Sequence, residues 1–143
     1  MSPVTLQIQR VHEAAVLPAY AHDTDAGLDL CSVRDCTIAP GERLTIPTGL
    51  ALQLPAGHVG LIWDKSGLSH KVGVKTLGGV IDAGYRGEVM VGLVNLGQEP
   101  HHIAVGDKLA QLLVQAVVQP AMVEVESLEQ SSRGADGFGS TGV

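Results

Sequence analysis

One acidic residue is a candidate for chemistry because it lies in a tight hairpin beside a tyrosine. The segment Gly78–Gly87 carries Asp82 and Tyr85 in a polar turn between the apolar runs Val80–Ile81 and Val89–Val94. A carboxylate held at such a turn can accept a proton from water and act as a general base. An Asp in a turn can also cap the turn with its own side chain, and spacing alone favours that structural interpretation.

Two further segments could bind phosphate groups. Asp64–Ser69 follows an apolar run and offers a cation, a hydroxyl and a flexible amide, a set of donors that suits an oxyanion. The same segment could equally be an ordinary exposed turn. Gly106–Gln111 leads from a polar turn into an apolar run, so Gln111 either faces a ligand or lies on the solvent side of a strand.

The C-terminal segment Arg133–Gly142 is rich in glycine. Composition favours a disordered tail, because such a segment buries too little apolar surface to fold alone. The alternative is a loop whose backbone amides, hydroxyls and Arg133 guanidinium hold phosphate oxygens. Phe138 is the only phenylalanine of the chain, and in a mobile tail it suits stacking on a planar ring better than core packing.

The elements that must position these residues are short strands. The 18 glycines and 7 prolines among 143 residues interrupt the chain too often for long helices. Gly97–His102 is expected to be a solvated loop. Alternation and apolar runs predict strands at Val4–Arg10, Leu44–Leu54, Val59–Trp63, Val80–Ile81, Val89–Val94, Leu109–Val118 and Val123–Val125. Such regular short strands indicate a closed or double-sheet β architecture, such as a jelly roll.

Charge and composition exclude several classes of partner. The formal net charge of -6 gives no general attraction to nucleic acid or to an anionic membrane. No apolar stretch reaches the roughly 20 residues that span a bilayer, and Met1–Arg10 lacks the layout of a signal peptide. Cys31 and Cys36 match no zinc spacing and are expected to be free thiols, which suits a cytoplasmic protein.

Taken together and in order, five segments resemble the five motifs of the trimeric dUTPase family. They are Ala26–Leu30, Lys65–Ser69, Gly79–Gly87, Gly106–Leu112 and Arg133–Gly142. The resemblance extends from about Leu17 to Gly142, which is nearly the whole chain. Five motifs in the same order are far more specific than any one of them.

The resemblance implies an all-β fold, a trimeric assembly and a particular reaction. The expected protomer is a distorted jelly roll over residues 1–126, followed by a flexible arm over residues 127–143. Three chains are expected to form a homotrimer with three active sites, each built from all three chains. The expected reaction is the Mg²⁺-assisted hydrolysis of dUTP to dUMP and pyrophosphate, which lowers dUTP and supplies dUMP for thymidylate synthesis.

The resemblance also implies a role for each matching residue. Asp82 is expected to activate the water that attacks the α-phosphorus, and Tyr85 to pack against the deoxyribose and exclude a 2′-hydroxyl. Asp29 is expected to hold a water of the Mg²⁺ shell, while the triphosphate and water bind the metal itself. The remaining expected contacts are Gly79, Val80, Ile81, Asp82 and Met90 at the uracil, Lys65, Ser66, Gly67 and Gln111 at the phosphates, Arg133 at the terminal phosphates, and Phe138 over the uracil. Gly139 and Ser140 are also expected to bind the substrate.

Two departures from the family pattern affect these expectations. Lys65 stands where the second motif usually carries Arg, so the charge is kept but the planar bidentate fork is lost. The hairpin segment Thr76–Gly79 is the shorter form, without an Asn that contacts uracil in many bacterial members. Base recognition is therefore expected to depend more on backbone groups.

Two other functions share this overall pattern. A dCTP deaminase, or a bifunctional deaminase–diphosphatase, resembles this family in fold and uses a Glu after the third motif as a proton shuttle; Glu88 is the only carboxylate nearby. Its context, Arg86–Val89, matches the dUTPase form. A non-catalytic trimeric binding module is the second alternative, but such a module is expected to have lost Asp82, Tyr85 or the tail, and this chain keeps all three.

Overall fold

Strands separated by glycine and proline turns make up the protein. The computed structural model describes residues 2–142, which form ten strands and one short π-helix at Gly67–Val72. The strands are β1 Gln7–Arg10, β2 Leu28–Cys31, β3 Cys36–Ile38, β4 Arg43–Gln53, β5 His58–Trp63, β6 Val74–Leu77, β7 Val80–Ile81, β8 Glu88–Asn95, β9 His101–Ile103 and β10 Lys108–Ala116. Met1 and Val143, the outer residues of the predicted domain and arm, lie outside the described residues.

The strands form three antiparallel sheets that share one core. Their orders are β1-β4-β8-β6, β2-β10-β5-β7 and β3-β9. In β8, Val89, Val91 and Leu93 are at most 2% exposed, and they alternate with less buried neighbours because successive side chains of a strand point to opposite faces. Buried residues of all three sheets belong to a single hydrophobic cluster. The prediction of an all-β fold is therefore confirmed.

Most of the predicted strands are present, with shifts of a few residues at their ends. The prediction of a strand at Val123–Val125 was wrong, because every described residue after β10 lies outside strands. Val123 is 80% exposed, and β10 is already paired with β2 on one side and β5 on the other. The segment therefore has neither a core to cover nor a neighbouring strand to join in its own chain.

The prediction of a loop at Gly97–His102 was also partly wrong. His101 begins β9, which pairs with β3 so that Thr37 lies opposite His102. The His102 Nδ1 atom lies 3.2 Å from the Thr37 hydroxyl, and Ile103 is buried. Three residues are too short for alternation to reveal a strand, so this pairing depends on contacts between distant segments.

Two predictions from composition can be compared with the structure. Cys31 and Cys36 are both free thiols, as expected, while the cytoplasmic setting stays a prediction. Among the described residues, no helix has the length and apolar character needed to cross a membrane.

Candidate active site

The segment that was predicted as a hairpin is a tight turn that joins β7 to β8, which lie in different sheets, and it presents Asp82 to solvent. The Asp82 backbone carbonyl accepts the Tyr85 N–H at 3.0 Å and closes the turn, and Arg86 Nη1 donates to the Ala83 carbonyl at 2.7 Å. The Asp82 carboxylate is exposed and makes no hydrogen bond or ion pair with another described side chain or backbone group. A backbone bond therefore holds this turn, and the carboxylate is free to accept a proton from water.

A cavity of about 220 Å³, called the hairpin cavity below, opens beside this turn. Every residue that was predicted for the hairpin lines it, together with three that were not predicted. The predicted members are Gly79, Val80, Ile81, Asp82, Tyr85 and Met90, and the others are Ile62, Glu88 and Val89. The structure thus brings the predicted hairpin residues together around one opening.

The Tyr85 ring is fixed at the edge of this cavity. Its hydroxyl donates to the Glu88 carbonyl at 2.9 Å. A Cβ atom added to Gly87 would lie 2.4 Å from the Tyr85 hydroxyl oxygen, so the ring packs directly against Gly87 and would have to shift if this residue carried a side chain. The hydrogen bond and the close packing together set the orientation of the ring.

A second cluster gathers cationic groups around Asp29. The Asp29 side chain is 9% exposed; its Oδ1 atom is bound by Lys65 Nζ, and its Oδ2 atom lies 2.9 Å from Lys108 Nζ. Burial alone would raise the pKa of Asp29, but the hydrogen bonds and positive charges of the two lysines outweigh burial and hold that pKa below its usual value. The hydrogen bond and charge of Asp29 in turn raise the pKa of Lys108. The site therefore holds one buried anion between two ammonium groups.

Lys108 was not among the predicted site residues, although it lies in the predicted fourth motif. Its position follows from the pairing of β10 with β2, where Gln111 lies opposite Asp29 and the register shifts between Lys108 and Ala110. Alternation along the sequence carries no sign of such a shift. Only the cross-strand register could have placed Lys108 at Asp29.

Gln111 and Asp64 hold the start of the predicted phosphate-binding segment. Gln111 Nε2 donates to the Asp64 carbonyl at 2.9 Å, while the Asp64 carboxylate accepts the Thr76 N–H at 2.6 Å and binds Lys75 Nζ at 2.8 Å. Burial raises the pKa of Asp64, and the bonds to Lys75 and Thr76 more than reverse that effect. Gln111 is therefore half-buried and bonded across the site instead of simply facing solvent.

Ser66 and Gly67 follow Lys65 directly and are both exposed. The Lys65 carbonyl accepts the Ser69 N–H at 3.0 Å, which bends the chain into the short π-helix. Neither residue lines the hairpin cavity, and neither do Lys65 or Gln111. Within one chain, the cationic cluster therefore lies outside the cavity that the hairpin residues line.

The tail residues Arg133, Phe138, Gly139 and Ser140 are all exposed. Arg133 Nε donates to the nearby Asp136 carbonyl at 2.7 Å, and the Ser140 N–H donates to the Gly137 carbonyl at 2.9 Å. These bonds are local, and none of the four residues lines the hairpin cavity. In a single chain, the structure does not bring the tail to this part of the predicted site.

The cluster around Asp29 does not form a protein-only metal site. Among residues 2–142, no group of three or more His, Cys, Asp or Glu side chains is placed to hold a metal ion. Two ammonium groups beside Asp29 disfavour a bare cation. The residues do fit a Mg²⁺ ion that is bound mainly by phosphate oxygens and water, which Mg²⁺ prefers, because the lysines can bind the remaining phosphate charge.

The lowered pKa of Asp29 predicts a stability effect that depends on pH. Since the folded pKa lies below the ordinary value of 3.8, the ion pairs stabilise the folded state fully above that value, and the contribution is lost as the pH falls through the folded pKa. We expect Asp29→Asn to lower Tm by roughly 2–8 °C at pH 7. Thermal unfolding from pH 7 to pH 3 should show this difference shrinking below about pH 4. A difference that stays constant would contradict the ion-pair explanation.

An exposed carboxylate beside a cavity can act as a general base, and a separate cationic cluster on the same β scaffold can bind phosphate, so the site suits an enzyme that acts on a phosphorylated substrate. Comparison with known proteins agrees with this class. The sequence pattern of the dUTPase family matches residues 13–142.

Individual relatives match over nearly their whole length. A deoxyuridine 5′-triphosphate nucleotidohydrolase of Anaeromyxobacter sp. is 50% identical over 98% of this chain and 99% of its own length. A protein of the same name from Mycolicibacterium vanbaalenii is 47% identical over 98% of this chain and 96% of its own length.

Solved structures match as well. The dUTPase of Staphylococcus bacteriophage 80alpha, in a mutant form with dUpNHpp, superimposes with a TM-score of 0.92 at 30% identity, over 97% of this chain and 99% of that one. A mutant dUTPase from phage phi11 of S. aureus, described for its coordination of a structural Mg(II) ion, has a TM-score of 0.83 at 31% identity, over 88% of this chain and 99% of that one. The chain therefore belongs to the dUTPase family, and it is an enzyme of the dUTP diphosphatase class, as its motifs predicted.

Proposed function

We propose that this chain hydrolyses dUTP to dUMP and pyrophosphate, with a water molecule activated by Asp82 attacking the α-phosphorus. The observation that carries the proposal is the exposed Asp82 carboxylate, held on a rigid turn at the edge of the hairpin cavity. A free carboxylate in this position can orient a water molecule and accept its proton. The breakdown of dUTP lowers its concentration and supplies dUMP for thymidylate synthesis, in the cytoplasm.

The hairpin binds the nucleoside in this proposal. Uracil enters the cavity between Gly79–Asp82 and Met90, where backbone donors and acceptors match its edge and reject cytosine, since a mismatched edge leaves buried polar groups unpaired. Tyr85 packs against the deoxyribose and leaves no room for a 2′-hydroxyl. The fixed orientation of the Tyr85 ring supports this role, because discrimination by shape requires a rigid wall.

The cationic cluster binds the phosphates in this proposal. Lys65, Ser66, Gly67 and Gln111 contact phosphate oxygens, and Arg133 reaches the terminal phosphates. Bound with the triphosphate, Mg²⁺ would supply neutralisation of the phosphate charge, and Asp29 would hold a water of its shell. Both the lysine charges beside Asp29 and the bonds that hold Asp64 and Gln111 support this arrangement, because phosphoryl transfer depends mainly on positioning and charge.

The proposed assembly is a homotrimer of jelly-roll protomers, with residues 1–126 as the domain and 127–143 as a flexible arm. Exposed apolar residues support assembly. Trp63 is 55% exposed, and Val80 is 70% exposed. Val118, Met122 and Leu128 on the segment after β10 are at least 84% exposed. In the proposed trimer, contacts with the other copies would cover such apolar side chains.

We further propose that each active site combines residues from all three chains. Within one chain, the hairpin residues, the cationic cluster and the tail do not meet around the hairpin cavity. Heterologous contacts that close into a ring bring different surfaces of neighbouring chains together, so a trimer can unite groups that one chain keeps separate.

Mixing two inactive variants tests the sharing of sites. A chain with Asp82→Asn and a chain truncated after Gln130 should regain activity when mixed, because some mixed trimers hold one site with both an intact base and an intact tail. Turnover of dUTP after confirmed subunit exchange is the measurement. The matched control mixes Asp82→Asn with a truncated chain that also carries Asp82→Asn, which should show no gain. Activity that stays at the level of the parents would count against sharing.

Substrate comparison tests the function itself. Release of pyrophosphate from dUTP should greatly exceed release from dCTP, dTTP and UTP, and dCTP should give no ammonia. The deaminase alternative needs the Glu88 carboxylate as a proton shuttle, but that carboxylate accepts the Gly49 N–H at 3.1 Å inside the fold. Ammonia release from dCTP would support the deaminase, and absence of any turnover would support the binding module.

A further inference from the structure

The pairing of β4 with β8 is interrupted beside the hairpin cavity. Pro47 lies opposite Met90, and Ala51 lies opposite Glu88, so the segment between Pro47 and Ala51 bulges opposite the single residue Val89. A bulge leaves backbone groups without their ladder partners. The residues that line the cavity at this point therefore need another means of support.

Two side chains provide that support. The Glu88 carboxylate accepts the Gly49 N–H at 3.1 Å, and the Thr48 hydroxyl donates to the Val89 carbonyl at 2.6 Å. Thr48 is fully buried. Gly49 has a φ of +69°, and a Cβ atom added to it would lie 2.8 Å from the His12 Cβ, so the bulge can adopt this shape only with glycine.

The same short stretch of β8 anchors Tyr85. The Tyr85 hydroxyl donates to the Glu88 carbonyl, which belongs to the peptide unit between Glu88 and Val89. The Glu88 side chain fixes the residue before this unit, and Thr48 fixes the next peptide unit through the Val89 carbonyl. Without these two bonds, the Glu88 carbonyl could turn toward solvent and release the Tyr85 hydroxyl.

We infer that Glu88, together with Thr48, is a positioning residue for sugar selection. Neither side chain needs to touch the substrate, because both act through the backbone on either side of the peptide unit that orients the Tyr85 ring. The inference rests on the proposed function, in which Tyr85 packs against the deoxyribose. It assigns the Glu88 carboxylate to the bulge and gives the bulge a role in discriminating dUTP from UTP.

The test is the ratio of kcat/KM for dUTP to kcat/KM for UTP. Glu88→Met keeps the length of the side chain but removes the acceptor, and it should lower this ratio about tenfold, the effect of losing one charged hydrogen bond. Glu88→Gln keeps a carbonyl acceptor for the Gly49 N–H and should stay within about twofold of the unmodified chain. A general loss of stability would lower both kcat/KM values together and leave the ratio unchanged.

A double variant shows whether Glu88 acts through the Tyr85 hydroxyl. Tyr85→Phe should lower the ratio by itself, and adding Glu88→Met to it should change the ratio by less than about twofold, because coupled residues are not additive. An unchanged ratio in Glu88→Met, or independent multiplication of the two effects, would overturn the inference.

The folding of each variant and its turnover of dUTP are measured together with the ratio of kcat/KM values. If Glu88→Met fails to fold, Thr48→Val tests the bond to the adjacent Val89 carbonyl, and an unchanged ratio there overturns the inference. If the unmodified chain does not hydrolyse dUTP, the proposed function and this inference are refuted together. Normal turnover with unaltered ratios in the variants would refute this inference alone.

Discussion

Replacing Asp82 by Asn is expected to abolish dUTP turnover and to leave nucleotide binding nearly unchanged. The amide keeps the shape of the side chain but cannot accept a proton from water, so only the chemical step should suffer. Loss of a general base lowers the rate by about 10²–10⁴-fold. Because the Asp82 side chain has no hydrogen-bond partner among the described residues and a backbone bond closes the turn, the change should not disturb the hairpin.

Single-turnover hydrolysis of dUTP and binding of a non-hydrolysable analogue measure the two effects separately. Asp23→Asn is a matched control, since Asp23 is exposed and lies in a turn of the polar loop before β2. It belongs neither to the residues around the hairpin cavity nor to the cluster around Asp29. The substitution removes the same charge and should leave kcat within about twofold, as surface substitutions usually do. Near-normal turnover in Asp82→Asn would remove Asp82 from the role of base.

The two strands beside Asp82 were predictable because their signals are local. Apolar runs on both sides of a polar turn predict strands at Val80–Ile81 and Val89–Val94, and both strands are present. The prediction that they form a hairpin was wrong, because β7 pairs with β5 and β8 pairs with β4 and β6. Local alternation was therefore enough to predict the elements that carry Asp82 and Tyr85, while the family resemblance was needed to predict their roles.

The cluster around Asp29 was only partly predictable. Asp29 and Lys65 were expected at the site, but their ion pair joins residues far apart in sequence. Lys108 reaches the same carboxylate because β10 shifts its register, and Thr48 meets Val89 because β4 bulges. Bulges and register depend on the packing of whole sheets, so the pattern of one strand does not reveal them.

The position of the tail is set by neither alternation nor packing within one chain. Residues 131–142 are exposed, and their hydrogen bonds are local, such as that from the Gly134 N–H to the Ser131 carbonyl at 3.2 Å. Composition predicts disorder for such a segment, whereas the resemblance implies closure over bound nucleotide. Both can hold if binding orders the tail and if stacking and charge-assisted hydrogen bonds offset the cost of ordering.

Truncation after Gln130 is therefore expected to leave a folded trimer and to remove most of the activity. The removed residues cover no part of the core, so Tm without ligand should not change. Activity should fall because closure of a flexible segment positions the substrate and excludes bulk solvent from the reacting groups. Thermal unfolding, size-exclusion chromatography and dUTP hydrolysis measure the three quantities.

Phe138→Ala separates stacking from the rest of the tail. Phe138 is fully exposed in the single chain, so its loss should leave the fold intact. Stacking of a base on an aromatic ring is worth about 1–3 kcal/mol, and the variant should weaken analogue binding roughly ten- to hundredfold. Val125→Ala, on an exposed apolar residue before the truncation point, is a control for loss of apolar surface alone. For the truncation after Gln130, hydrolysis of dUTP as fast as that of the full chain would show that the tail is a disordered segment without a catalytic role.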